Sequence, residues 1–313
     1  MKNILIFIFS VFSVDKNLVS QKNSTTNKKG LKSMDSIQYT KRFVAFLDVL
    51  GFKELVTSRS EESKKKIKKY FDAANRVIEE LKNTSSKRNI GSIVISDSVI
   101  LTVECPTSPE EAISQLRHLC IAVGIFQQAL AVEGIWIRGA ITCGESYFSD
   151  DPVQIVGPAY VKAYLLEESL AIFPRVILDT SVITELGFQY AQEFTDSINR
   201  KNSGGCRFSN WGPNILFDWS NRKENLLIKQ DSPLFIDYLG SLINKEEIEL
   251  LEPILINIRT DLYKDGHIYN KHKWTTDYFH SAYFQIGYPY NEQSSEMHES
   301  KTHHGMIHKL RNM

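Results

Sequence analysis

RFVAFLDVLGF, residues 42–52, is the stretch on which the fold turns. An apolar, β-rich run of this length reads as a buried strand, and Gly51 closes it with a turn. One ionisable group, Asp48, lies near its end. A carboxylate leaving water without a partner costs several kcal/mol or takes up a proton, so Asp48 requires a cation or a set of donors.

The elements that follow define a pattern. Over residues 62–82, Ile67, Phe71, Ala74, Ile78 and Leu81 recur at steps of three and four, which predicts an amphipathic helix whose KKKIKK lysines form a solvated face. GSIVI and VILTVE are short β runs flanking Ser96-Asp97-Ser98, a hairpin without the Asn-Gly signal. SPEEA then opens a helix of about two dozen residues, with Ser108 as N-cap, Pro109 at the first helical position and Glu111 completing a capping box. GIWIRGAIT is the fourth strand.

Strand, helix, hairpin, helix, strand is the split βαββαβ order of a ferredoxin-like α+β sheet. A right-handed crossover makes the first two strands parallel, with the third antiparallel between them. The C-terminal end of the first strand and the hairpin tip then share one edge, which brings Asp48 and Asp97 together. Paired aspartates at a sheet edge suit Mg²⁺ or Mn²⁺, hard ions that fill their shells with water and substrate phosphates. Two such ions hold the attacking and leaving oxygens of a displacement at phosphorus. The Val49 carbonyl is a further candidate ligand, and Leu50, Gly51 and Phe52 are candidates to turn amide N–H groups toward a triphosphate.

Bulk properties limit the rest. The chain has 313 residues, 42% apolar and 24% charged, enough for a sizeable core. Lys plus Arg and Asp plus Glu are balanced at 37 each, so no global field favours nucleic acid or an anionic membrane. Cys105, Cys120, Cys143 and Cys206 are widely spaced without a C-x-x-C, which argues for ordinary thiols in a reducing cytoplasm. MKNILIFIFSVFSV resembles a secretory segment too short to span a bilayer, without an A-x-A site after it. Met34 is the preferred working start, and export is the competing reading. Residues 1–40 are expected as an extension, 41–200 as the catalytic domain and 201–313 as an accessory region packed on it. In the latter, LLIKQDSPLFIDYL reads as a hairpin or two short strands, with helices near 246–263 and 270–283; KNSGG reads as a loop. The histidines of HHGMIH have a spacing that suits a metal but follow a polar stretch and read as a solvated tail.

FVAFLDVLGF, IVISDSVIL, WIRGAITCGE and QIVGPAYVKAYLLE, in this order, resemble the class III nucleotide cyclases, and more narrowly the pyrimidine cyclases of bacterial Pycsar anti-phage systems. The likeness spans residues 42–180, and KHKWTTDYF is similar to that group's accessory helices. The resemblance implies that Asp48 and Asp97, with Val49, bind two Mn²⁺ or Mg²⁺ ions, and that Phe46 and residues 49–52 line the substrate. The base-selecting positions of purine cyclases fall at Ile93, which has no hydrogen-bonding group, and at Gln154, whose amide both donates and accepts. The family's ribose-orienting Asn and transition-state Arg fall at Val161 and Leu165, which cannot do that work. Arg138 and Lys162 are the candidate replacement cations, each with a plain structural alternative, an ion pair in the sheet or a solvated surface position. The resemblance further implies a homodimer with composite sites and a separate effector activated by the cyclic nucleotide. UTP is taken as substrate on family frequency. CTP, and a non-catalytic nucleotide-sensing module, stay open.

Overall fold

The structure is a computed structural model that describes residues 37–84, 90–199, 214–218, 233–245, 247–262, 266 and 269–287. The expectations for the N-terminal extension, the KNSGG loop, Cys206, LLIKQD and the tail histidines lie outside these residues.

Strand β1 (Thr40–Val49) is central. It is followed by the short helix α1 (Phe52–Ser58) and the long helix α2 (Glu61–Thr84). The hairpin is β2 (Ile90–Ile95) with β3 (Ser98–Glu104), then come α3 (Pro109–Ala131) and β4 (Ile137–Asp150). Strand order β2-β3-β1-β4, with β3 antiparallel to both β1 and β2, is the ferredoxin-like arrangement that the βαββαβ reading requires.

β1 is buried on both faces because each face has its own cover. Phe43, Ala45, Leu47 and Val49 join the main core with α2 and α3, whereas Val44 and Phe46 join a second cluster with Ile100. That second face is covered by α4 (Pro158–Ser169), which contributes Ala159 and Ala163. Small residues on the contact stripe let the helix backbone come close to the strands.

α3 begins where Ser108 and Pro109 predict, but its start is not a capping box. The Ser108 side chain makes no capping hydrogen bond; its carbonyl accepts the Ala112 N–H at 2.9 Å, and Pro109 supplies the preset backbone. β4 runs past the expected strand end and folds back as a hairpin with β5 (Val153–Val156), which periodicity did not reveal. The arm crosses the sheet, with the Phe148 ring where a Gly91 side chain would stand.

The chain after α4 adds to the same sheet. β6 (Val176–Leu178) lies parallel to β4, and α5 (Thr180–Glu185) and α6 (Ala191–Asn199) follow. β8 (Phe235–Ile236) pairs with Ile177 of β6 and with β7 (Leu216–Phe217). The described part of LLIKQDSPLFIDYL is therefore one strand whose partners lie elsewhere in the chain. α7 (Gly240–Asn244), α8 (Ile248–Leu262) and α9 (Tyr269–Gly287) close this end, with Trp274 and Tyr278 edge-on to Phe235. Cys105, Cys120 and Cys143 are buried free thiols. Among the described residues no helix is long and apolar enough to cross a membrane.

Candidate active site

Antiparallel register places Asp48 opposite Ser98 on β3 and opposite Arg138 on β4. Ile95 pairs with Ser98, so Ser96 and Asp97 form a two-residue turn, and Ser96 takes φ 55°, the left-handed conformation such tight turns need. The Val49 N–H donates to the Asp97 carbonyl at 3.2 Å, which ties the hairpin tip to the residue after Asp48. The two carboxylates are neighbours at one end of the sheet.

Their electrostatics follow from this crowding. The Asp48 side chain is 17% exposed. Burial pushes its carboxyl above the usual range, and the charge of Asp97 adds to the shift, while Arg138 and a hydrogen bond from Ser98 oppose it. A divalent cation at this point would relieve both causes. Among the described residues no group of three or more His, Cys, Asp or Glu surrounds a common point. An ion held here would complete its shell with water and phosphate oxygens, which is the habit of Mg²⁺ and Mn²⁺.

Arg138 serves two acids. Its Nη2 lies 3.5 Å from Asp48 Oδ2, and its Nε lies 2.6 Å from Glu167 Oε1 on α4. The second pair is close but not aligned as a hydrogen bond. Glu167 is 5% exposed at its side chain. Burial pushes its carboxyl up to about 7, and Asp48, Glu168 and Asp97 push the same way against the attraction of Arg138. On the other face of the sheet Tyr70 is 1% exposed, and its hydroxyl has no hydrogen-bond partner among the described residues. Burial, then the charges of Asp97 and Asp48, raise its pKa.

Glu167 and Tyr70 were not singled out from sequence. Glu167 had a readable signal, because Ala159, Ala163 and Glu167 recur every four residues and so put a carboxylate on the buried stripe of a helix. Tyr70 had none, since an aromatic on an amphipathic helix reads as core.

The remaining candidates separate into groups. Lys162 is 48% exposed, and its Nζ lies 2.5 Å from Asp179 Oδ2. The Asp179 N–H donates to the Ile141 carbonyl, and Ile141 is opposite Ala45, three residues before Asp48 and so about 10 Å along the strand. Arg138 reaches the acid pair; Lys162 is spent on Asp179. The Leu50 N–H donates to the Trp136 carbonyl at 2.8 Å, so that amide is engaged within the fold and is not one of those free for a phosphate. Gly51, at φ 73°, makes the turn, and the Phe52 ring packs on Tyr70 with centroids 5.7 Å apart. Val49 is 2% exposed. Phe46 lies two residues before Asp48 on the same face, edge-on to Tyr164 at 5.4 Å. Ile93 and Ile155 both pack on that face's apolar cluster, while Gln154 is exposed on β5, opposite Ser149. Ser149 is eleven residues beyond Arg138 on β4, so the second base-selecting position stands at the other end of that strand from Asp48.

No family model matches the chain, and no curated protein matches it. Among solved structures it is similar to the adenylyl cyclase CyaB from P. aeruginosa, at 19% identity over 47% of this chain and 82% of that one, with a TM-score of 0.33. It is similar to the guanylyl cyclase Cya2 at 15% identity, over 64% and 91% of the two chains, with a TM-score of 0.35. A class III adenylyl cyclase-like ATP-binding protein from Pseudomonas aeruginosa matches at 13% identity over 64% and 46%, with a TM-score of 0.35. These are partial backbone likenesses to class III cyclases and a cyclase-like protein, and by themselves they transfer no residue, substrate or activity to this chain.

Proposed function

We propose that the chain is a nucleotide cyclase of the class III type that takes a pyrimidine nucleoside triphosphate, UTP before CTP, and releases the 3′,5′-cyclic monophosphate and diphosphate. The observation that supports it most is the meeting of Asp48 and Asp97 at one end of the sheet, with Arg138 beside them. In the reaction the ribose 3′-hydroxyl gives its proton to water, its oxygen forms a bond to the α-phosphorus, the bond from that phosphorus to the bridging oxygen breaks, and the diphosphate carries away the electron pair.

Asp48 and Asp97 would hold Mn²⁺ or Mg²⁺, which would lower the pKa of the 3′-hydroxyl and neutralise charge on the leaving group. Arg138 supplies fixed positive charge beside the phosphates, in a half-buried position where such charge counts for more than in water. Gly51 lets the backbone approach the triphosphate after β1. Phe46 gives the substrate an apolar wall.

A homodimer is part of this reading. Val161, Tyr164 and Leu165 on α4 are 49%, 43% and 52% exposed, and Val153 and Val156 on β5 extend the apolar surface. Burying such a patch favours association. A second copy would bring the Ile93 and Gln154 region of one protomer toward the acid pair of the other, which answers the separation of Gln154 from Asp48 within one chain. The Gln154 amide can present either a donor or an acceptor to the base. The cyclic product acting as a messenger in anti-phage defence, on a separate effector in the cytoplasm, completes the proposal.

Incubation with each of the four ribonucleoside triphosphates and Mn²⁺ tests it. Cyclic UMP or cyclic CMP is expected to dominate, and Asp97→Ala is expected to remove it. Dominant turnover of ATP or GTP overturns the pyrimidine assignment. A second reading, a nucleotide-binding module without turnover, is favoured by Val161 and Leu165, apolar where the resemblance expects Asn and Arg. It prevails if the triphosphate binds and no cyclic product forms, with or without extract from phage-infected cells.

A further inference from the structure

Arg138 is not placed as a simple partner of Asp48. Its guanidinium is pulled toward α4, 2.6 Å from Glu167 against 3.5 Å from Asp48. An Arg beside a single carboxylate normally closes into a two-pronged pair, the strongest geometry open to it. Here that closure is not made. Glu167 is held where it is by the helix: Ala159 and Ala163 seat α4 on β1 and β4, and the next position on the same stripe faces the Arg138 row. Were Glu167 absent, Asp48 would be the acid nearest the guanidinium, and a bound Arg is a competitor for any cation approaching that carboxylate.

We propose that Glu167 is a positioning residue that draws Arg138 partly off Asp48, leaving the acid pair open to a divalent cation and holding the guanidinium beside the place of the substrate phosphates. The inference rests on the reading of Asp48 and Asp97 as a divalent-ion site, and it adds to that reading a residue outside the pair that sets the pair's affinity. The charges are consistent with it. Asp48 and Glu167 share one guanidinium, and the charge of Asp97 acts on both acids, so the cluster carries an excess of negative charge that a divalent ion would balance. Glu167 touches no substrate in this scheme and acts through Arg138.

The test is a titration of Mn²⁺ against the full chain at pH 8, following free Mn²⁺ by electron paramagnetic resonance. Glu167→Gln is expected to weaken Mn²⁺ binding about tenfold, the lower end of what partners of metal-site residues contribute. Arg138→Met, which removes the competitor, is expected to tighten it. In the Arg138→Met background Glu167→Gln is expected to change the affinity by no more than about twofold, since the two act as one unit. An equal loss in both backgrounds means that Glu167 acts only as bulk charge and overturns the proposal, as does no loss in either. If Glu167→Gln does not fold, Arg138→Met still decides: unchanged or weaker Mn²⁺ binding overturns the competition. Asp97→Asn separates the two levels. If it leaves Mn²⁺ binding intact, the ion site itself is misassigned and the positioning role falls with it; if it abolishes binding while Glu167→Gln has no effect, only the positioning role fails.

Discussion

Asp48 and Asp179 stand in matching places, each at the C-terminal end of a strand of one sheet, and they differ in almost everything else. Asp179 caps α5: its Oδ2 accepts the Ser181 N–H at 2.9 Å and lies 2.5 Å from Lys162 Nζ. Burial would push its carboxyl up, but the hydrogen bonds from Lys162 and Ser181 outweigh it, and the pKa falls below the usual value. Asp48 is raised, first by its burial and then by the charge of Asp97, and Arg138, shared with Glu167, does not offset them. One aspartate is supplied with donors and stabilises the fold. The other is left short of positive charge, which is a condition a bound ion would relieve.

The largest contrast is expected in chemistry. Asp48→Asn should abolish cyclic-product formation, measured by chromatography of the reaction products, with activity reduced by about a thousandfold or more if the acid holds the ion that stabilises the transition state. Asp179→Asn should retain most of it. Loss of activity to the same degree in both variants breaks the distinction.

Stability should show the reverse order. Asp179→Ala removes a cap and leaves Lys162 without its acid, and is expected to cost about 1–2 kcal/mol in urea unfolding. Asp48→Asn removes a charge that folding raises in energy, so its urea midpoint should be equal to or above that of the unmodified chain. Adding Mn²⁺ should raise the melting temperature of the unmodified chain and not that of Asp48→Asn.

The pH dependences sharpen this further. Asp179 is depressed in the folded state, so its contribution to stability is present above the unfolded carboxylate pKa near 3.8 and is lost as pH falls through the lower folded value. Glu167 is raised from 4.5 to about 7, so its contribution is present below 4.5 and is lost as pH rises toward 7. Urea midpoints measured without divalent ions from pH 4 to 8 should show a decline over that window, and Glu167→Gln should flatten it. The smallest effect concerns assembly: Leu165→Glu on the exposed face of α4 is expected to shift sedimentation toward the monomer without lowering the melting temperature of the protomer, because Leu165 is 52% exposed and outside the core.

How much of this was readable depends on how local the signal is. Helix α2 announced itself by period and strand β1 by its unbroken apolar run, and Ser108-Pro109 marked the start of α3, although the capping hydrogen bonds expected of Ser108 and Glu111 were not what held it. β7 and β8 have two residues each and pair with partners far along the chain, so no local pattern specified them. In the site, Asp48 and Asp97 were legible because strand order and handedness determine which ends of a sheet coincide. Arg138 and Lys162 were both candidate cations in the sequence, and packing sets Arg138 beside Asp48 and Lys162 beside Asp179.

The residues alone determined the succession of elements from β1 to β4 and, through it, the meeting of two aspartates, since hydrophobic pattern and the right-handed crossover leave few alternatives. Tertiary structure decided what surrounds them: that Arg138 is shared with Glu167, that Lys162 is spent on Asp179, that the Leu50 amide is taken, and that the Tyr70 hydroxyl is buried without a partner among the described residues. These depend on side-chain distances of a few ångströms across separate elements. Electrostatic partnership varies steeply over that range, whereas the patterns that specify secondary structure do not depend on it.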